Sequence, residues 1–181
     1  TVAVIEHFTF TKISISSSGF LYTSSLDQTF FEENQWWRLI SPIFIHFSVA
    51  HLAFNCLWIY VLGEKIEKVD SKKIFISVII ISSICSNFLQ YYWTSSSLFG
   101  GLSGVIYGLL GFCWLESRIN SVSSLRLPPV LIWFMLGWLF VCMTGLVEAV
   151  GFGAIANSAH VGGLVTGVFL GVVAGFWSLR K

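Results

Sequence analysis

Residues 74–115 read IFISVIIISSICSNFLQYYWTSSSLFGGLSGVIYGLLGFCWL, 42 positions without Asp, Glu, Lys or Arg. A membrane-spanning helix needs about 20 apolar residues. This run is too long for one span and is broken by Thr94-Ser95-Ser96-Ser97-Leu98-Phe99-Gly100-Gly101, so it reads as two spans, 74–92 and 103–115. Working outward, charge-free runs cover 39–63, 127–147 and 149–179. The expectation is five spans, at about 39–63, 74–92, 103–115, 127–147 and 158–179. Barrel strands would need short alternating segments, so the fold class is all-α, a polytopic helical membrane bundle in a single domain over 1–181. Residues 1–38 are interrupted by Glu6, Lys12, Asp27, Glu32, Glu33 and Arg38. They read as an outer loop, with Thr1–Ile5 the tail of an earlier span.

Composition agrees with this reading. The chain of 181 residues is 55% hydrophobic and only 10% charged, with a mean hydropathy of +0.80; soluble domains carry about 25% charged residues. A net charge of +1 gives no footprint for nucleic acid. Cys56, Cys85, Cys113 and Cys142 lie far apart with no CxxC and read as small core residues, not as a disulfide or metal framework. Lys65, Lys68, Lys72, Lys73, Arg118, Arg126, Arg180 and Lys181 fall on one side of the bundle, leaving Lys12 and Arg38 on the other. The richer side should be cytoplasmic, and with it the C-terminus. Trp36, Trp37, Tyr91, Tyr92 and Trp93 then fall at the outer interface, where aromatic rings collect.

Four polar residues inside the spans converge on the outer side: Ser103, His160, His51 and Asn55. Polar groups in a bilayer are costly and face the bundle interior or water. The span from Ser103 to Leu115 covers about 20 Å of a core about 30 Å thick. Ser103 should therefore lie below the outer surface, in a place water reaches. Gly100-Gly101-Leu102-Ser103-Gly104 resembles half of a nucleophile elbow, which acquires meaning only with a base beside it. His160 is the candidate. Gly163, Gly167, Gly171 and Gly175 follow it at intervals of four, and Gly104, Gly108 and Gly111 line the Ser103 helix. Two small-residue stripes permit close packing of these helices, with or without chemistry at their ends. Tyr107 shares the Ser103 face and can pack on the imidazole.

His51 and Asn55, four apart, share one helical face. No HExxH is present and no Asp or Glu lies inside any of the expected spans, so no metal is expected. The same absence argues against an aspartyl protease and weakens a proton-relay transporter. The pair reads better as donors to a developing oxyanion, joined by the Ser103 backbone N–H. His46 reads as structural, and His7 carries no signal.

Taken in order, Trp37-Arg38, the segment from His46 to Asn55, Gly63-Glu64-Lys65-Ile66-Glu67, Gly101-Leu102-Ser103-Gly104 with Tyr107, and Ala159-His160-Val161-Gly162-Gly163-Leu164-Val165-Thr166-Gly167 resemble the motifs of the rhomboid intramembrane serine proteases in their bacterial form. The resemblance implies a six-helix core, of which the first helix is largely missing here, and a Ser103–His160 dyad without an acidic third member. It also implies an oxyanion site involving His51 and Asn55, and cleavage of single-span membrane proteins without cofactor or metal. It further suggests the fourth span, with Trp133, Phe134, Trp138 and Phe140, as a side gate in a bacterial inner membrane. The 148–157 link, with Gly151, Phe152, Gly153 and Ile155, could cap the dyad. One departure is Ser71, where the family has glycine. The rival readings are a non-proteolytic rhomboid-like factor that binds membrane proteins, and a small-solute channel or transporter.

Overall fold

The computed structural model describes residues 2–16, 19–121, 123–152 and 155–179. A short helix α1 (Val2–Phe8) leads to a hairpin of β1 (Ile13–Ile15) and β2 (Leu21–Thr23), paired antiparallel with Ser14 opposite Tyr22. One π turn and two 3-10 turns follow, at Asp27–Glu32, Trp36–Leu39 and Ser41–Phe44. The long helices are α2 (Val49–Val69), α3 (Lys72–Thr94), α4 (Ser103–Ile119), α5 (Pro129–Met143) and α6 (Asn157–Ser178). The helical class holds, with a small hairpin that no apolar run signalled.

Local chemistry sets the helix limits. The apolar run 39–63 contains a helix only from Val49, because Pro42 supports a 3-10 turn and Ser48 caps the helix by accepting the His51 N–H at 3.1 Å. The same helix continues past the run to Val69, with Lys68 donating to Glu64 one turn back. Ser71 caps α3, accepting the Ile74 N–H at 3.3 Å, and its backbone is extended at φ 179°. Nothing at this turn therefore demands glycine. Pro129 at the first position starts α5, and Gly145, at φ +77°, follows its end.

Helix α4 corrects an expectation. It runs 17 residues to Ile119, about 25 Å, and so carries Glu116 inside the bundle, 2% exposed. The charge-free run places the end of this span at Leu115, one residue earlier. Glu116 is tolerated because Asn120 Nδ2 and Ser123 Oγ donate to its carboxylate at 3.2 and 2.5 Å.

Helix α4 is the axis of the bundle, buried without interruption from Gly104 to Cys113. Helices α2, α3 and α6 surround it. The faces turned to it are small or polar. On α3 they are Ser82, Ser83 and Ser86, and on α6 Gly163, Gly167, Gly171 and Gly175. The large apolar side chains point outward instead, among them Phe88 on α3, Trp133 on α5, and Phe169 and Phe176 on α6. Inward small residues and outward hydrophobes are the pattern of helices solvated by lipid. Among the described residues, Lys72–Thr94 and Asn157–Ser178 are long and apolar enough to cross a membrane by length and composition. Cys113 and Cys142 are buried; Cys56 and Cys85 are exposed, against the core reading, on this outward surface.

Arg38 anchors the outer loop. It is 3% exposed, and its Nη1 donates to the Glu6 and Thr9 carbonyls at 2.6 and 2.8 Å. Its Nε donates to Gln35 Oε1. The guanidinium thus supplies donors to carbonyls at and just beyond the C-terminus of α1. Trp36, Trp37, Tyr92 and Trp93 are exposed, whereas Tyr91 turns inward against Phe10.

Candidate active site

Ser103 is the first residue of α4, so its backbone N–H lies in the turn that has no carbonyl partner within the helix. Gly101, two residues earlier, holds φ +123°. A Cβ there would stand 2.8 Å from His51 Cε1 and 3.6 Å from Asn55 Nδ2. Glycine is required both by the dihedral and by this close approach. The turn into α4 therefore packs directly on the two polar residues of α2.

His160 lies in the first turn of α6, 4% exposed. Its Nε2 is 2.6 Å from Ser103 Oγ. With the hydroxyl as donor, Nε2 is the acceptor and the ring proton sits on Nδ1. Among the described residues Nδ1 has no hydrogen-bond partner. The imidazole is held instead by Tyr107, whose ring lies 5.0 Å away, centroid to centroid, at 39°. Tyr107 Oη donates to the Met135 carbonyl at 2.9 Å, joining α4 to α5. The glycine stripes set this geometry. A Cβ on Gly163 would collide with the Gly104 carbonyl, and one on Gly167 with that of Gly108. Only glycine lets α6 approach α4 closely enough to deliver the ring to the hydroxyl.

Sequence reasoning undervalued His46. Its Nδ1 lies 3.2 Å from the Phe44 carbonyl, where it can only donate. Its Nε2, 2.9 Å from Asn55 Nδ2, is then an acceptor. Asn55, 2% exposed, gives one amide hydrogen to His46 and keeps the second. The His46 and His51 rings meet edge to face at 5.0 Å. The signal available beforehand was the spacing of nine to Asn55, which a helix alone does not bridge. His46 reaches it because it lies before the helix begins.

A narrow cavity of about 50 Å3 is lined by Ser103, His160, His51, Asn55 and Tyr107. It has room for a few waters. Phe134, Met135 and Trp138 of α5 form its side wall. Trp133 and Phe140, 71% and 69% exposed, point away from it, so two of the four aromatics expected at a gate line the site and two do not. Phe54 on α2 meets Trp138 at 5.5 Å, and Trp58 meets Phe134 at 6.1 Å. Of the expected cap, Ile155 lines the cavity and its N–H donates to Glu148 Oε1 at 2.8 Å. Gly153 lies outside the described residues.

The family model described as Rhomboid domain matches residues 33–176. Curated relatives include the Rhomboid protease GlpG of Serratia proteamaculans, 40% identical over 161 residues, which are 88% of this chain and 54% of the relative. That of Klebsiella pneumoniae is 41% identical over 137 residues, 76% of this chain and 48% of the relative. That of Pectobacterium atrosepticum is 36% identical over 146 residues, 81% and 50%. The chain spans about half the length of the curated relatives it matches.

Proposed function

This chain belongs to the rhomboid family of integral membrane proteins, and from that premise we propose that it is an intramembrane serine endopeptidase. The observation that carries the reading is the 2.6 Å contact between Ser103 Oγ and His160 Nε2, beside the His51–Asn55 pair.

Ser103 Oγ attacks the scissile carbonyl carbon as its proton passes to His160 Nε2. The carbonyl oxygen becomes an oxyanion and takes hydrogen bonds from the Ser103 N–H, His51 and the free hydrogen of Asn55. Collapse breaks the C–N bond, and the imidazolium returns the proton to the leaving amine. A water, deprotonated by the same imidazole, then releases the acyl group from Ser103. Among the described residues no carboxylate meets Nδ1, so the base relies on Tyr107 and packing for its orientation.

The substrates are single-span membrane proteins that approach from the lipid through α5. Phe134, Met135, Trp138 and Cys142 of α5 line the cavity on that side, with Val147 and Ile155 of the following link. The concentration of Lys and Arg on the side away from Ser103 supports a site near the outer face of a bacterial inner membrane, with the C-terminus cytoplasmic.

The test is covalent labelling. A fluorophosphonate should modify the protein once, and both Ser103→Ala and His160→Ala should lose at least about 100-fold in labelling rate. Labelling that persists in Ser103→Ala overturns the assignment of the nucleophile. A binding-only relative would leave the parent unlabelled.

A further inference from the structure

At the end of the bundle opposite Ser103, α4 and α5 part around an open recess of about 210 Å3. Arg118, in the last turn of α4, and Arg126, in the link before α5, both line it. Trp114 and Ser117 form one wall; Leu127 and Ile132 form the other. Both arginines are exposed, and among the described residues neither guanidinium has an ion pair or hydrogen bond. The nearest carboxylate along the helix, Glu116, is buried and occupied by Asn120 and Ser123. Two planar cations thus line one recess, and among the described residues no carboxylate pairs with either.

The composition of the recess selects its occupant. Guanidinium pairs recognise phosphate through forked hydrogen bonds. Trp114, Leu127, Pro129 and Ile132 give the same recess an apolar surface beside Ser117, and Trp114 has the amphipathic ring favoured at headgroup depth. Cations next to an apolar surface suit a molecule with a phosphate at one end and hydrocarbon at the other, and basic recesses between membrane helices suit anionic headgroups.

We propose that this recess is a binding site for an anionic phospholipid of the leaflet opposite the Ser103–His160 site. The phosphodiester sits between Arg118 and Arg126, and the first methylenes lie against Trp114, Leu127 and Ile132. Bound there, the lipid ties the foot of α5 to α4 at the end away from the cavity. The proposal stands apart from the peptidase reading, because occupancy is measured without turnover.

The test is retention of lipid by the full chain in neutral detergent, read by native mass spectrometry. The probes are dioleoylphosphatidylglycerol and dioleoylphosphatidylcholine at equal concentration. The parent should retain phosphatidylglycerol about 10-fold over phosphatidylcholine, the order expected for two basic side chains at a lipid surface. The Arg118→Gln/Arg126→Gln double variant should lose that preference. Arg118→Lys/Arg126→Lys should keep part of it, and Lys72→Gln/Lys73→Gln, which removes equal charge elsewhere, should keep all of it. If the double variant fails to fold, Arg126→Gln alone, outside any helix, should lose most of the preference. Undiminished preference in the glutamine variants, or an equal loss in the lysine control, overturns the site. Displacement of the lipid by millimolar inorganic phosphate would show that the recess takes free phosphate and would overturn the lipid assignment.

Discussion

Asn55 has two amide hydrogens and, in the resting site, one protein acceptor, His46 Nε2 at 2.9 Å. That bond sets the rotation of the amide and aims the remaining hydrogen. Removing an oxyanion donor costs about 100-fold or more in kcat, so under the proposed role Asn55→Ala should lower kcat by that order with little change in KM. His46→Ala leaves the donor present but free to rotate, and kcat should fall about 10-fold, with His46→Gln recovering part through its amide oxygen. In the Asn55→Ala background, His46→Ala should cost nothing further. Kinetics on the four proteins of this cycle check the coupling; losses that multiply would show His46 acting by another route.

Helix α6 owes its approach to α4 to hydrogen atoms where side chains would otherwise stand. Gly167→Ala drives a methyl into the Gly108 carbonyl, a backbone atom that cannot rotate aside. Such overpacking should cost about 3 kcal/mol, seen as a lower midpoint in thermal unfolding in detergent. Gly137 in α5 provides the contrast, with nothing within 4 Å of its would-be Cβ. Gly137→Ala should be neutral or stabilise by about 0.5–1 kcal/mol, through helix propensity alone. The elements also depend on Arg38, whose guanidinium donates to two carbonyls near the end of α1 and to Gln35. Arg38→Ala leaves a buried Thr9 carbonyl and two half-buried acceptors without this partner and should destabilise by about 3 kcal/mol, measurable in the same unfolding experiment. Arg38→Lys should recover only part, because an ammonium cannot reproduce the fork.

Across the whole molecule, the proposed cleavage requires a substrate to reach a serine and histidine set inside the helical bundle. The cavity of about 50 Å3 admits water, and aromatic pairs join α2 to α5 beside it. On the proposed lateral route a polypeptide passes beside α5, and the backbone it offers must leave its own helix to expose a carbonyl. Substrates with Gly, Pro or polar residues in the outer part of their span, and a small residue such as Ala before the cut, should therefore be preferred. A reporter with a uniformly Leu-rich span should be cut at least about 10-fold more slowly than one carrying a Gly-Ala or Pro-containing outer segment, a difference of about 1.4 kcal/mol in barrier. Gel-based cleavage in proteoliposomes measures it. Equal rates would refute the unwinding requirement, and cleavage of soluble unfolded chains alone would refute the lateral route.

Much of this architecture was legible in the amino-acid order because its causes are local. Lipid demands long apolar helices, and charge-free runs mark them. Close packing demands small residues at intervals of four, and Gly163 to Gly175 display them. Buried polar groups are costly, so Ser103, His51, Asn55 and His160 stand out one by one. Local chemistry also misled. Glu116 read as a helix end, although partners four and seven residues onward allow it inside. The run at 39–63 read as one helix, although Ser48 starts the helix ten residues late. What only the tertiary structure decided are the meetings between distant residues. These are the 2.6 Å contact across 57 positions between Ser103 and His160, the bond from Asn55 to His46, and the shared recess of Arg118 and Arg126. Helical period assigns each residue a face and a depth, but which faces meet depends on the packing of the whole bundle, and no local pattern encodes it.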